Sequence, residues 1–79
     1  MWSKGTVEVP TGDGKYITLK YVVKHFEVPS IWGYDEGRAS KISLQQNGKE
    51  VYNFDRGEDI PPQTEEAKIA LEILLKQYN

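Results

Sequence analysis

Arg38-Ala39-Ser40-Lys41-Ile42-Ser43-Leu44-Gln45-Gln46-Asn47-Gly48-Lys49-Glu50-Val51-Tyr52-Asn53-Phe54 is the stretch on which the fold turns. Asn47-Gly48 separates two runs of strand periodicity. A two-residue type I′ turn needs positive φ at both central residues, which Asn and Gly adopt most readily. Residues 38–46 and 49–54 therefore read as an antiparallel hairpin. A regular turn sets Leu44 opposite Val51, Ile42 opposite Asn53, Ser43 opposite Tyr52 and Lys41 opposite Phe54. The aliphatic side chains then share one side, and Lys41, Tyr52 and Phe54 point to the other.

Upstream, residues 15–26 form the longest strand-like run. Ile17, Leu19, Tyr21 and Val23 alternate with Tyr16, Thr18, Lys20, Val22, Lys24 and Phe26, as a central strand with one apolar face requires. Thr6-Val7-Glu8-Val9 alternates and stops at Pro10, and Thr11-Gly12-Asp13-Gly14 supplies two glycines for a reversing turn. Periodicity fails over residues 27–37, where Pro29, Gly33 and Gly37 interrupt any regular element. The apolar Val28, Ile31, Trp32 and Tyr34 suggest a long loop packed on its own side chains.

Downstream, residues 55–63 are irregular and end in Pro61-Pro62. Thr64 is a good N-cap, and Glu65 and Glu66 suit the positive end of a helix dipole. The spacing predicts a helix over Glu65–Tyr78 with Ala67, Ala70, Leu71, Leu74 and Tyr78 on its packing stripe and Lys68, Glu72 and Lys76 opposite. Ile69 and Ile73 lie outside that stripe and need a cover, either the loop bearing Ile31 and Trp32 or another chain. The expectation is one domain over residues 1–79 of class α+β: a four-stranded antiparallel sheet with one C-terminal helix packed on one face, a ββββα two-layer sandwich.

Composition agrees with a folded chain. Its 79 residues suffice for one thin core, and 38% hydrophobic content with 10 basic against 12 acidic residues is that of a globular protein. No run approaches the roughly 18 apolar residues of a membrane span, and the first residues lack the apolar stretch of a signal peptide. A cytoplasmic protein is expected. With no cysteine, disulfides, thiolate catalysis and cysteine-based zinc sites are excluded.

Catalytic signals are absent. His25, the one histidine, has no metal-ligand or nucleophile partner at a recognisable spacing and reads as a half-buried structural residue. Asp35-Glu36 and Asp55-Arg56-Gly57-Glu58-Asp59 lack the alternating donors of a calcium loop. Asp55-Arg56-Gly57 reads instead as a strand-ending turn in which Gly57 supplies the free φ. No catalytic residue, cofactor or metal is expected, and the chain is read as no enzyme.

The more informative pattern is the sheet face turned away from the helix, expected to carry Tyr16, Lys20, Lys24, Phe26, Lys41, Tyr52 and Phe54. Trp32, Arg38 and Arg56 complete the candidate partner-binding set from the neighbouring loop and turn. Exposed aromatic and aliphatic surface of this size marks a protein interface. Aromatics interleaved with lysines also suit single-stranded nucleic acid, although a net charge of −2 supplies no general attraction to it. Self-association as a homodimer would account for the aromatic face and for Ile69 and Ile73 together.

Pro29-Ser30-Ile31-Trp32-Gly33-Tyr34-Asp35-Glu36-Gly37-Arg38-Ala39-Ser40-Lys41-Ile42 and Val51-Tyr52-Asn53-Phe54-Asp55-Arg56-Gly57 resemble a family of small uncharacterised domains of about this chain's length, encoded on mobile genetic elements and phages of Gram-positive gut bacteria. The resemblance extends over the Gly-Asp-Gly turn and the Ala-Leu-rich helix. Its most specific parts are Gly37-Arg38-x-Ser40-Lys41 and Asp55-Arg56-Gly57. Tyr34 stands where an aliphatic is expected and Ala39 where a larger aliphatic is expected. The resemblance implies no catalytic or binding residue and points to a mobile-element accessory role, of which inhibition of a host or competitor factor is one form.

Overall fold

In the computed structural model, which describes residues 1–79, β1 (Trp2–Pro10), β2 (Tyr16–His25), β3 (Ala39–Gln46), β4 (Lys49–Asp55) and β5 (Glu58–Ile60) precede α1 (Glu65–Tyr78). The strands form one antiparallel sheet in chain order. The sheet has five strands rather than the expected four. The short β5 lies in the segment read as irregular, because Glu58-Asp59-Ile60 carries no strand periodicity long enough to detect.

The Asn47-Gly48 turn forms with φ of 53° and 76°. Gln46 pairs with Lys49 and Gln45 with Glu50, as such a turn dictates, but Leu44 then pairs with Tyr52, Ser43 with Asn53, Ile42 with Phe54 and Lys41 with Asp55. Val51 is the extra residue of a β-bulge, and beyond it every side chain changes face. The shift sends Tyr52 and Phe54 into the core and Asn53 outward. Burying a large apolar side chain contributes about 1.5–3 kcal/mol, so placing two aromatics inside in place of Asn53 favours the bulge.

The core joins Val7, Val9, Leu19, Val23, Ile42, Leu44, Tyr52 and Phe54 of the sheet to Ala67, Ala70, Leu71 and Leu74 of the helix. Thr64 caps α1, its Oγ1 accepting from the Ala67 N–H at 3.0 Å and donating to Gln46 Oε1 at 2.8 Å. The helix start is thereby tied to the hairpin end. At the other end the Tyr78 hydroxyl meets that of Tyr21 at 2.8 Å, and the Tyr78 ring lies 4.8 Å from the His25 imidazole. His25 Nε2 is also 2.8 Å from Ser3 Oγ, which gives the histidine a packing role between β1 and α1.

The 27–38 segment does not cover Ile69 and Ile73. Ile31 and Trp32 stay exposed, and both isoleucines remain partly open. Tyr34 is the side chain that packs inward, its ring 5.2 Å from that of Phe54, because the bulge brings Phe54 to that face. Between β4 and β5 it is Arg56, not Gly57, that adopts positive φ, at 59°. The Arg56 N–H donates to Ser40 O at 3.0 Å and the Asp55 N–H to Gly57 O at 2.9 Å, which holds the turn.

Candidate binding surface

Opposite the helix, the pairing registers arrange side chains in rows across the sheet. Trp2, Lys24, Lys41 and Asp55 make one row, and Lys4, Val22, Ser43 and Asn53 the next. Thr6, Lys20, Gln45 and Glu50 follow. Each row alternates with core residues along its strands, which is why the face is polar in general and cationic at β1 and β2.

Lys24 and Lys41 stand directly opposite one another on antiparallel strands, an arrangement that destabilises a sheet because the like charges are held close. Their neighbours offset part of the repulsion. The Lys24 Nζ lies 5.6 Å from the ring centroids of both Trp2 and Phe26, and the Lys41 Nζ lies 5.9 Å from that of Trp2. Such contacts contribute about 0.5–1 kcal/mol each at exposed sites. Asp55 adds an ion pair to Lys41 at 3.7 Å, which is exposed and therefore weak. Lys4, Lys20 and Lys24 have no ion-pair partner.

Short Val22 and Ser43 lie between the long lysines, so the face is concave. A hollow of about 330 Å³ is lined by residues including Lys4, Thr6, Lys20, Val22, Ser43 and Gln45. A second, of about 170 Å³, is bounded by Trp2, Val22, Lys41, Asn53 and Asp55 among others. Its polar rim is partly occupied: Glu50 Oε2 accepts from Ser43 Oγ at 2.7 Å and from Asn53 Nδ2 at 3.0 Å. The open cationic charge is thus concentrated at the β1–β2 side.

Lys20, Lys24, Phe26 and Lys41 lie on this surface as the alternation implies. Tyr16 is exposed on the same face but sits at the far end of β2, about 26 Å from Lys24 along the strand. Tyr52 and Phe54 are not on the surface: Tyr52 is 0% and Phe54 8% exposed, a consequence of the bulge at Val51. The Tyr52 hydroxyl donates to Glu58 Oε2 at 3.2 Å. Burial, followed by the nearby Glu58 charge, pushes that phenol well above the ordinary tyrosine range.

Arg38 turns toward the helix end, where its Nε donates to Asn79 O at 3.4 Å, and contributes nothing to the lysine rows. Trp32 is 54% exposed with Arg56 at 5.9 Å from its ring centroid. These two form a separate aromatic–cation pair at the loop end of the sheet. Trp2 and Lys4 belong to the surface and were not legible in the sequence as strand residues, since Ser3, Lys4 and Gly5 are weak strand formers. The available signal was the alternation Trp2-x-Lys4-x-Thr6-x-Glu8, which continues the pattern of Val7 and Val9 backward.

A family model described as "Domain of unknown function (DUF7678)" matches residues 1–79. No curated protein and no solved structure matches the chain.

Proposed function

For this chain, which belongs to the DUF7678 family of domains of unknown function, we propose a non-catalytic binding module whose open sheet face docks an acidic segment of a partner protein. The opposed Lys24–Lys41 pair beside exposed Trp2 and Phe26 carries this reading. A carboxylate placed between two opposed ammonium groups relieves a repulsion that the free protein bears, so binding gains where folding loses. Trp2, Val22 and Phe26 offer the apolar contact that aromatic-centred interfaces use. The resemblance to domains of mobile elements and phages supports a cytoplasmic accessory role, and inhibition of a host or competitor factor is one form it takes.

The test is a partner capture followed by amide chemical-shift mapping. A partner recovered by the wild type, lost with Trp2→Ala and with Lys24→Glu, and perturbing residues 2–8, 20–24 and 41–43 supports the reading. Perturbations confined to the loop around Trp32 would remove it.

Single-stranded nucleic acid is the second reading, favoured by unpaired Lys4 and Lys20 lining one hollow, with unpaired Lys24 in an adjacent row. It calls for anisotropy of labelled oligonucleotides with an affinity that falls steeply as salt rises. No anisotropy change at low salt discards it.

A further inference from the structure

We propose that β1 pairs antiparallel with β1 of a second copy, about a two-fold axis at Thr6. This inference is independent of what the lysine face binds. β1 is an edge strand with only β2 beside it. The His25 N–H donates to Met1 O at 2.8 Å and the Thr11 N–H to Lys15 O at 3.0 Å. These bonds set the parity: odd-numbered residues of β1 direct their N–H and C=O groups to β2. Trp2, Lys4, Thr6 and Glu8 direct theirs outward, with no partner strand on that side.

A long, regular edge is a template for pairing, and proteins that stay monomeric guard it with bulges, lysines or proline. β1 pairs with β2 without a register break from Trp2 to Pro10. Its guards are Lys4 and Pro10, and one self-pairing register accommodates both. With Thr6 opposite Thr6 of the second copy, Lys4 faces Glu8, Glu8 faces Lys4, and at each end of the ladder the Trp2 N–H donates to the Pro10 carbonyl, the only bond lost being the one from the missing Pro10 N–H to the Trp2 carbonyl. An axis at Lys4 or at Glu8 would set like charges opposite each other. The outward-pointing even residues satisfy the hydrogen-bonding parity only when they pair with one another, as they do here.

On the helix side the same register brings Met1, which is exposed, beside Thr11 of the second copy. There it faces a hollow of about 330 Å³ lined by Pro10, Thr11, Glu65, Glu66 and Ile69. The open flank of Ile69 thus gains an apolar neighbour. On the other side the two concave faces become continuous, and Lys4 is withdrawn from them into its pair with Glu8.

Light scattering over a concentration series tests the proposal, the chain mass being 9.0 kDa. The expected result is a mass rising to twice that value. Lys4→Glu and Glu8→Lys each raise the dimer dissociation constant about tenfold, since each creates two like-charge contacts across the axis. The double swap Lys4→Glu with Glu8→Lys restores it. Thr6→Pro removes an outward N–H that β2 does not use, so it gives a folded monomer by far-UV circular dichroism; should it lose strand signal, the charge swap alone decides. A wild type that stays monomeric at its highest soluble concentration overturns the proposal. So does a dimer that the single charge changes leave intact, or one that the double swap fails to restore.

Discussion

The Asn79 carboxamide occupies the space that a β-carbon on Gly37 would need, with its Oδ1 the nearest atom. From there Oδ1 accepts from the Ala39 N–H at 3.0 Å and Nδ2 donates to the Tyr34 carbonyl at 3.1 Å. One side chain just past α1 therefore fastens the 34–39 segment, including the start of β3, to the helix end. Asn79→Ala is expected to cost about 1–3 kcal/mol, because it leaves two half-buried backbone groups without their partner. Gly37→Ala, which displaces the carboxamide, should cost a similar amount. The check is the urea midpoint of each variant at an unchanged m-value. Wild-type midpoints would show that the fastening contributes nothing.

Tyr52 has a structural role. Tyr52→Ala opens a cavity under Leu44 and should destabilise by about 3–5 kcal/mol. Tyr52→Phe loses only the bond to Glu58 and should cost about 1 kcal/mol. Partner capture by Tyr52→Phe should equal that of the wild type. A selective loss of capture in a folded Tyr52→Phe protein would return this residue to the binding surface.

Lys24→Thr and Lys41→Thr remove one member of an opposed like-charge pair and put a β-branched residue on an open strand face. Each relieves a repulsion of about 0.2–1 kcal/mol but gives up ring contacts of about 0.5–1 kcal/mol each, two for Lys24 and one for Lys41. Lys24→Thr is therefore expected to lower stability by about 1 kcal/mol and Lys41→Thr to leave it nearly unchanged, and both to weaken partner binding. Trp2→Ala should weaken binding with a stability loss of no more than about 2 kcal/mol, the sum of its two lysine contacts. Denaturation and binding measured on the same preparations separate these effects. A folded Lys24→Thr protein that binds as before would argue against an acidic partner at this site.

Alkaline pH should unfold the protein earlier than its exposed tyrosines alone imply. Tyr52 and Tyr34 are raised above the ordinary value chiefly by burial, and Tyr21 chiefly by its hydrogen bond to Tyr78. A group whose folded value is raised contributes its full stability below the unfolded value and loses it as pH climbs past that value toward the folded one. The stability should therefore be flat through neutral pH and decline above about pH 10, the ordinary tyrosine value. Tyr52→Phe should flatten that decline. Denaturant midpoints stepped from neutral to strongly alkaline pH give the slope, and an unchanged slope in Tyr52→Phe would contradict the assignment.

Local chemistry determined much of this protein in the sequence alone. Asn47-Gly48 could form only a tight turn between two strands, Gly12 and Gly14 marked the β1–β2 reversal, and Thr64 with the spacing of Ala67, Ala70, Leu71 and Leu74 located the helix and its buried side. Lys20, Lys24, Phe26 and Lys41 were placed on the outer face by alternation within β2 and β3. Tertiary structure decided the rest. Alternation states which residues share a face but not whether the count survives a bulge, and Val51 supplies one. The energy that selects the bulge comes from burying Tyr52 and Phe54 in a core completed by Tyr34 and by Ala67, Ala70, Leu71 and Leu74 of the helix, which lie outside the hairpin. The same applies to Trp2 and Lys4, whose strand exists because β2 offers nine residues to pair with, and to β5, which three residues could form only beside β4. A periodic pattern is a local property, whereas the parity of a strand within a sheet is set by what the whole core can bury.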